Sequence, residues 1–544
     1  MAALILGPML RFVAETEATI WVETDAACEV EVLGHSARTF HVEGHHYALV
    51  HVDGLEPGRT YDYDVKLDGE PAWPERGSGW PAPSLRTLEK PEHVTIVFGS
   101  CRVAVPHEPP WSLTKDEDKE HGREIDALFA LAHRLRRLPR DEWPDLLLMI
   151  GDQVYVDEDA PQTREFIRSR RNTDVAPFDE VADFEEYTRL YWETWGEPVI
   201  RWLLSSVPSA MIFDDHDTHD DWNTSKSWCS EYEAKPWWRE RIEGALVSYW
   251  VYQHLGNLSP AEIDRRGLFA RVCAEDDAGP LLRREARKAD RVDGGTQWSY
   301  AREVANVRIV VLDSREGRVF EPAREMNDDH EWDWIEQHAR GDVDHLLLVD
   351  TLPVLMSPAF HYAEAWDERV ADGAWGRRFE RIGEKLRRAF DMEHWAAWRV
   401  SFGRIVELVR AVAAGERGAA PASVLLLGGD IHHAYLAEVD VPGARSAVWQ
   451  AVCSPFRNPL DRHERVMAKV GTSRAATAIT RAVAHRAGVK DPPLEWRLLQ
   501  PPTFDNQFAT IEIDGRSARM KIERTVPGDW QDPRIETTLE RRLA

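Results

Sequence analysis

"DLLLMIGDQVY", residues 145–155, sets five apolar residues in a row, turns at Gly151, and then delivers Asp152 and Tyr155. A half-buried strand would alternate polar and apolar. This run does not, so it reads as a strand covered on both faces whose first polar side chains arrive where it ends. The same grammar recurs at "VTIVFGSCR" (94–102), "AMIFDDHD" (210–217), "VRIVVLDSR" (307–315), "HLLLVDTLP" (345–353) and "SVLLLGGDIHH" (423–433). Segments of helical spacing such as "GREIDALFALAHRLRR" (122–137) lie between these runs, which predicts an α/β layered domain from Val94 onward. In such sheets ligands collect beyond the carboxyl ends of strands. Every polar cluster here falls at one.

Outward from that core the pattern changes. "ATIWVET" (18–24), "CEVEVLG" (28–34), "RTFHVEG" (38–44) and "YALVHVDGL" (47–55) alternate with period two, and "LEPGRTYDYDVKLDG" (55–69) adds a Pro-Gly turn and a further strand. These predict a small antiparallel β-sandwich over residues 1–90, and the LxPGxxYxYxV pattern resembles fibronectin type III domains. Residues 91–527 form the larger domain, with a helical insertion at about 160–300 whose stretches "YWETWGEPVIRWLL" (191–204) and "KPWWRERIEGALVSYWVYQHL" (235–255) read as packed helices rather than a substrate pocket. A hairpin is expected around Asp514 and Gly515. The tail, 528–544, carries no legible pattern.

The 544 residues include 67 basic and 94 acidic side chains, a net charge of -27. That balance disfavours nucleic-acid backbones and anionic membranes as general partners. No stretch approaches the ~18 apolar residues of a membrane span. The five cysteines are odd in number and far apart, which argues against a disulfide framework. With no signal peptide visible, a cytoplasmic protein is expected.

Four strand ends carry chemistry. Cys101, after Gly99 and Ser100 and beside Arg102, is either a small buried apolar residue or a thiol whose thiolate a neighbouring cation favours. Asp152 after Gly151 is either a common turn carboxylate or one that bridges two cations, with Tyr155 three residues on. Asp214, Asp215, His216, Asp217, His219, Asp220 and Asp221 crowd a single strand end. Burying such a cluster without positive charge is costly, and helix N-caps account for only one or two of its carboxylates. Asp430 and His432, two apart on an extended segment, share a face in common ligand geometry. His433 then faces the other way.

In order, GSCR, GDxxY, DDHD with Asp221 and Asn223 beyond it, and GDxHH resemble the PhoD-like (alkaline phosphatase D) branch of the calcineurin-like metallophosphoesterases. "VVLDSR" also looks similar to that family's core. The resemblance implies a layered metallophosphoesterase β-sandwich core flanked by helices, behind the N-terminal sandwich. It also implies a redox-stable ferric iron held by Cys101, Asp152, Tyr155 and His432. Asp152 would bridge to a second site, calcium in family members or another divalent ion here, with Asp430, Asp221 and Asp215 or Asn223 as oxygen ligands. His216 and Arg102 would stabilise developing charge or the leaving group. From the residues alone, Arg457 in "VCSPFRNPL" (452–460) is either a surface arginine or a clamp on a substrate phosphate, and His433 is a second-layer residue on the substrate side.

The function expected is hydrolysis of a small-molecule phosphomonoester or phosphodiester by water activated between two metals. The alternative is a metal-stabilised binding protein whose site is not catalytic. Closed coordination marks structural sites and an open position marks catalytic ones, so the two are told apart by geometry.

Overall fold

The computed structural model describes residues 2–75, 77–89, 93–158, 160–290 and 295–544, so the expected domain boundary at 90/91 lies outside the described residues. Near the N-terminus two four-stranded antiparallel sheets pair Leu4–Val13, Ala18–Thr24, His45–Val52 and Phe40–Val42 on one side and His35–Arg38, Glu29–Val32, Val65–Leu67 and Glu70–Trp73 on the other. Their inner residues Ile20, Val22, Val30, Val50 and Val65 are fully buried and make one core. This is the expected sandwich.

The remainder is built on two larger sheets. In the six-stranded one, Ser209–Ile212, Leu146–Ile150 and His93–Gly99 run parallel, and Gln507–Asp514, Ser517–Val526 and Arg534–Arg542 extend it antiparallel. The seven-stranded sheet has Val307–Val311, His345–Val349, Ser423–Gly428 and Ala447–Val452 parallel at its centre. Phe98, Leu147 and Ile150 from the first sheet and Leu347, Val349, Leu425 and Leu427 from the second share one apolar core. The non-alternating runs of the sequence are therefore buried on both faces, one against the facing sheet and one against helices. The hairpin at Asp514 and Gly515 is present, with Asp514 opposite Ser517. Beyond Pro527, the pattern-free tail supplies the edge strand Arg534–Arg542.

The Trp-rich segments are helices packed on that core. Trp195, Trp202, Trp222 and Trp228 are among the largest fully buried side chains; Trp228 stacks on Tyr232 with centroids 4.1 Å apart, and Trp238 meets both edge-on at 5.3 Å. The N-terminal sandwich joins the same core. Arg11, on its first strand, is fully buried and donates to the Gln253 carbonyl at 2.6 Å and to Asn257 Oδ1 at 3.0 Å. No helix among the described residues is long and apolar enough to cross a membrane.

Candidate metal centre

Because three parallel strands of one sheet and four of the other end at the same edge of the sandwich, their terminal loops meet. The chain is pinned there by backbone hydrogen bonds across the loops: Cys101 N–H donates to the Gly151 carbonyl at 3.2 Å, and Gly429 N–H to the Thr351 carbonyl at 2.7 Å. Gly429 is obligatory, since a Cβ would collide with Ser100 Oγ. Six non-glycine residues here take the left-handed region: Cys101, Asp152, Asp221, Asn223, Asp430 and His432, with φ between 49° and 64°. Each such residue costs of the order of 1–3 kcal/mol, and the cost persists only where the surrounding structure imposes it.

The clash of loops brings together the donors that the sequence named. Cys101, Asp152 and His432 each offer a ligand atom within 4.8 Å of the others, and so do Asp152, Asp214, Asp215 and Asp430, and Asp152, Asp215 and His216. Asp152 is common to all three. Tyr155 Oη donates to Asp152 Oδ2 at 3.1 Å, which places the phenol beside the first group. Asp221 lies next to Asp215, its N–H donating to Asp215 Oδ2 at 2.8 Å. Cys101, Asp152, Tyr155, Asp214 and Asp215 are buried, whereas His216, Asp221, Asp430 and His432 are half-buried. The cluster is thus closed beneath and open on one side.

Its electrostatics demand positive charge. Burial, reinforced by neighbouring carboxylates, pushes the Asp152 carboxyl well above its ordinary range, and burial beside Glu393 and Asp391 takes Asp221 to about 10. Cys101 and Tyr155 are driven up by burial and by Asp152. His432 is pushed down to about 3 by burial, which leaves a neutral imidazole. Asp152 Oδ1, Asp215 Oδ1 and Asp221 Oδ1 are buried and accept no hydrogen bond among the described residues. Orphaned carboxylate oxygens beside a thiol, a phenol and a neutral imidazole form a donor set that fits cations: sulfur and nitrogen at one end, hard oxygen at the other.

His216 occupies the open side. Its Nδ1–H donates to Asp157 Oδ1 at 2.8 Å, its Nε2 faces Asp220 Oδ1 at 3.7 Å, and its ring lies 4.5 Å from that of Tyr155. Burial opposes its charge, but Asp157, Asp215 and Asp152 outweigh burial and hold the imidazolium well above its ordinary pKa.

Three expected members lie elsewhere. The Arg102 guanidinium turns inward, donating to Asp126 Oδ2 at 2.7 Å and to the Thr194 carbonyl at 2.8 Å. Asp126 also caps the helix Ala127–Leu135, so this pair fastens helix to loop. Arg457 is fully buried and donates to the Pro106 carbonyl at 2.8 Å and to that of Val105. His433 is buried, its Nδ1 on the Ile431 carbonyl at 2.7 Å and its ring between Tyr435 and Phe504. Both guanidinium groups are thus spent away from the cluster.

Residues that the sequence did not single out complete it. Arg315, fully buried, ion-pairs with Asp214, with Glu393 at 2.6 Å, with Asp215 at 3.4 Å and with Asp430 at 3.8 Å. Asp214 is further held by the Thr351 hydroxyl, so it anchors the frame while Asp215 faces the donors. His394 bonds Asp430 Oδ2 through Nε2 at 3.2 Å and Glu364 through Nδ1 at 2.9 Å. Arg315 closes the "VVLDSR" run at a strand end, which was a usable signal. His394 sits in an irregular segment between helices and had none.

Residues 129–272, which contain Asp152, Tyr155 and the acidic run, match the family described as PhoD-like phosphatase. Residues 1–85 match a domain of unknown function (DUF7800). Among solved structures, one described as "Structure of PhoD" superposes with a TM-score of 0.59 at 14% identity, over 99% of this chain and 92% of its own, which shows a shared fold. A purple acid phosphatase from yellow lupin (Lupinus luteus) seeds aligns at TM-score 0.47 and 10% identity, covering 97% of this chain and 73% of that one. No curated protein sequence matches.

Proposed function

The chain carries a PhoD-like phosphatase domain, and from that premise we propose that it hydrolyses phosphate esters at the strand-end cluster, with two cations shared through Asp152. The observation that carries this reading is the overlap of donor groups at one carboxylate, open on one side. Cys101, Asp152, Tyr155 and His432 would hold a ferric ion, and Asp152, Asp215, Asp221 and Asp430 a harder cation such as calcium. When bound, such a pair supplies Lewis acidity toward a phosphoryl oxygen and favours ionised water. His216, oriented by Asp157, hands its proton to the leaving oxygen. Arg315 and His394 hold Asp214, Asp215 and Asp430 in place. Arg102 acts on position alone, through Asp126. The open side favours catalysis over a purely structural metal site, and the net charge favours a small phosphomonoester or phosphodiester over nucleic acid.

The test is elemental analysis of protein purified without added metal or chelator, with hydrolysis of p-nitrophenyl phosphate and bis-p-nitrophenyl phosphate measured alongside. About one equivalent of iron with a second cation, and turnover of at least one ester, is expected. Asp152→Asn should lose both metals together, whereas Asp430→Asn should lose chiefly the second. A protein that binds neither metal and turns over neither ester would remove the proposal.

A further inference from the structure

Nine large apolar side chains are exposed among the described residues, and seven of them lie on three helices or at their caps. Phe379 and Ile382 belong to Arg377–Ala389, with Phe390 at its C-cap. Val466, Met467 and Val470 belong to Arg462–Gly471, and Ile479 to Arg474–Arg486. All three helices pack on the helix Pro358–Ala371. Such concentration on one helical subassembly differs from the scattered single apolar residues of an ordinary surface.

The same helices carry twelve basic residues and three acidic ones, in a chain whose net charge is -27. On Arg377–Ala389, Phe379, Ile382 and half-buried Leu386 follow i, i+3, i+7 spacing, and the exposed Arg378, Arg381 and Lys385 run beside them in the same spacing. An apolar stripe therefore adjoins a basic one. Among the described residues, Arg377, Arg378, Arg381, Lys385, Arg462 and Arg474 make no ion pair. Of the three acids, Glu384 meets Arg387 at 3.0 Å, Glu464 caps its own helix, and Glu380 is exposed on the first turn of Arg377–Ala389.

We propose that the exposed surfaces of these helices, led by the paired stripes of Arg377–Ala389, dock on an anionic phospholipid bilayer, apolar side chains entering the headgroup boundary and the cations meeting lipid phosphates. Charge selects this occupant. A two-fold contact with a second copy would set the same unpaired cations against each other, whereas an anionic bilayer rewards both stripes at once. The overall acidity opposes adsorption by any other face. Docking here calls for no membrane span, and it is read without substrate, so it stands or falls apart from the phosphatase reading.

The experiment is co-sedimentation of the full-length protein with vesicles of phosphatidylcholine alone and of phosphatidylcholine containing phosphatidylglycerol, at low and high salt. Binding to the anionic vesicles only, weakening with salt, is expected. Each cation near the surface is worth roughly fivefold in partitioning, so Arg381→Glu with Lys385→Glu should weaken binding at least about 25-fold. Phe379→Ser with Ile382→Ser should weaken it as well, with an unchanged circular dichroism spectrum in both variants. Failure to bind anionic vesicles, or equal binding by the variants, overturns the proposal. So does a concentration-dependent dimer that Phe379→Ser with Ile382→Ser disperses, for the face would then belong to a second copy.

Discussion

His216 is held between Asp157 and Asp220, against the ring of Tyr155, and within ligand distance of Asp152 and Asp215. A proton on Nε2 is stabilised there by three carboxylates despite burial. Glutamine keeps the hydrogen bond to Asp157 but carries no transferable proton. His216→Gln should therefore keep its metals and fold and lose about 10²- to 10⁴-fold in kcat, which a paired metal assay and rate measurement checks. Arg315 is different in kind. It is the fully buried counter-charge of Asp214, Asp215 and Glu393, and removing one partner of a buried pair leaves the others uncompensated. Arg315→Met should destabilise the fold by about 3–5 kcal/mol, read as a lower urea midpoint, before any question of rate arises.

At the scale of elements, the strand ends are fixed by glycine where nothing else fits. Gly151 has φ of 115°, and a Cβ there would strike Thr351 Oγ1 and Asp214. The strand can thus turn and aim Asp152 only because that position is bare. The helix Pro358–Ala371 supplies a second case. His361 on it is buried among Tyr362, Phe402 and Trp496, and burial lowers its pKa to about 3. The ordinary value is 6.5, so in acid the unfolded chain takes up a proton that the folded chain refuses. Stability from this group is complete above pH 6.5 and falls as pH drops toward 3, by at most about 1.4 kcal/mol per pH unit. Urea midpoints at pH 7 and pH 5 should differ more for the wild type than for His361→Gln.

For the whole molecule, the two sheets, the insertion and the N-terminal sandwich share a core. Leu6, Met9 and Trp21 pack with Tyr252 and the helices around it, and Arg11 is spent on Gln253 and Asn257. The last strand, Arg534–Arg542, covers the edge of Ser517–Val526 and brings Leu539 and Leu543 into the core. A chain ending at Pro527 would expose that edge and the apolar face beneath it. It should aggregate or melt lower than the full chain, which light scattering during a thermal ramp would report.

The layered fold, the sandwich ahead of it and most of the cluster were legible in the sequence. Burial on both faces leaves an unbroken apolar run, and Cys101, Asp152, Asp215, Asp430 and His432 each lie within a few residues of the end of such a run. Residue type and position along one chain could not say where a long side chain turns. Arg102, Arg457 and Arg315 all sit at or near strand ends, yet the first two end on Asp126 and on backbone carbonyls while the third enters the acidic cluster. That choice depends on which carboxylates and carbonyls come within reach, and those belong to distant segments. The same holds for His394, brought to Asp430 by helix packing, and for the last strand, whose pairing is set by an exposed edge rather than its own pattern. What depends on local periodicity and strand-end chemistry was determined by the sequence alone; what depends on contacts between segments hundreds of residues apart was decided only when the sheets closed on each other.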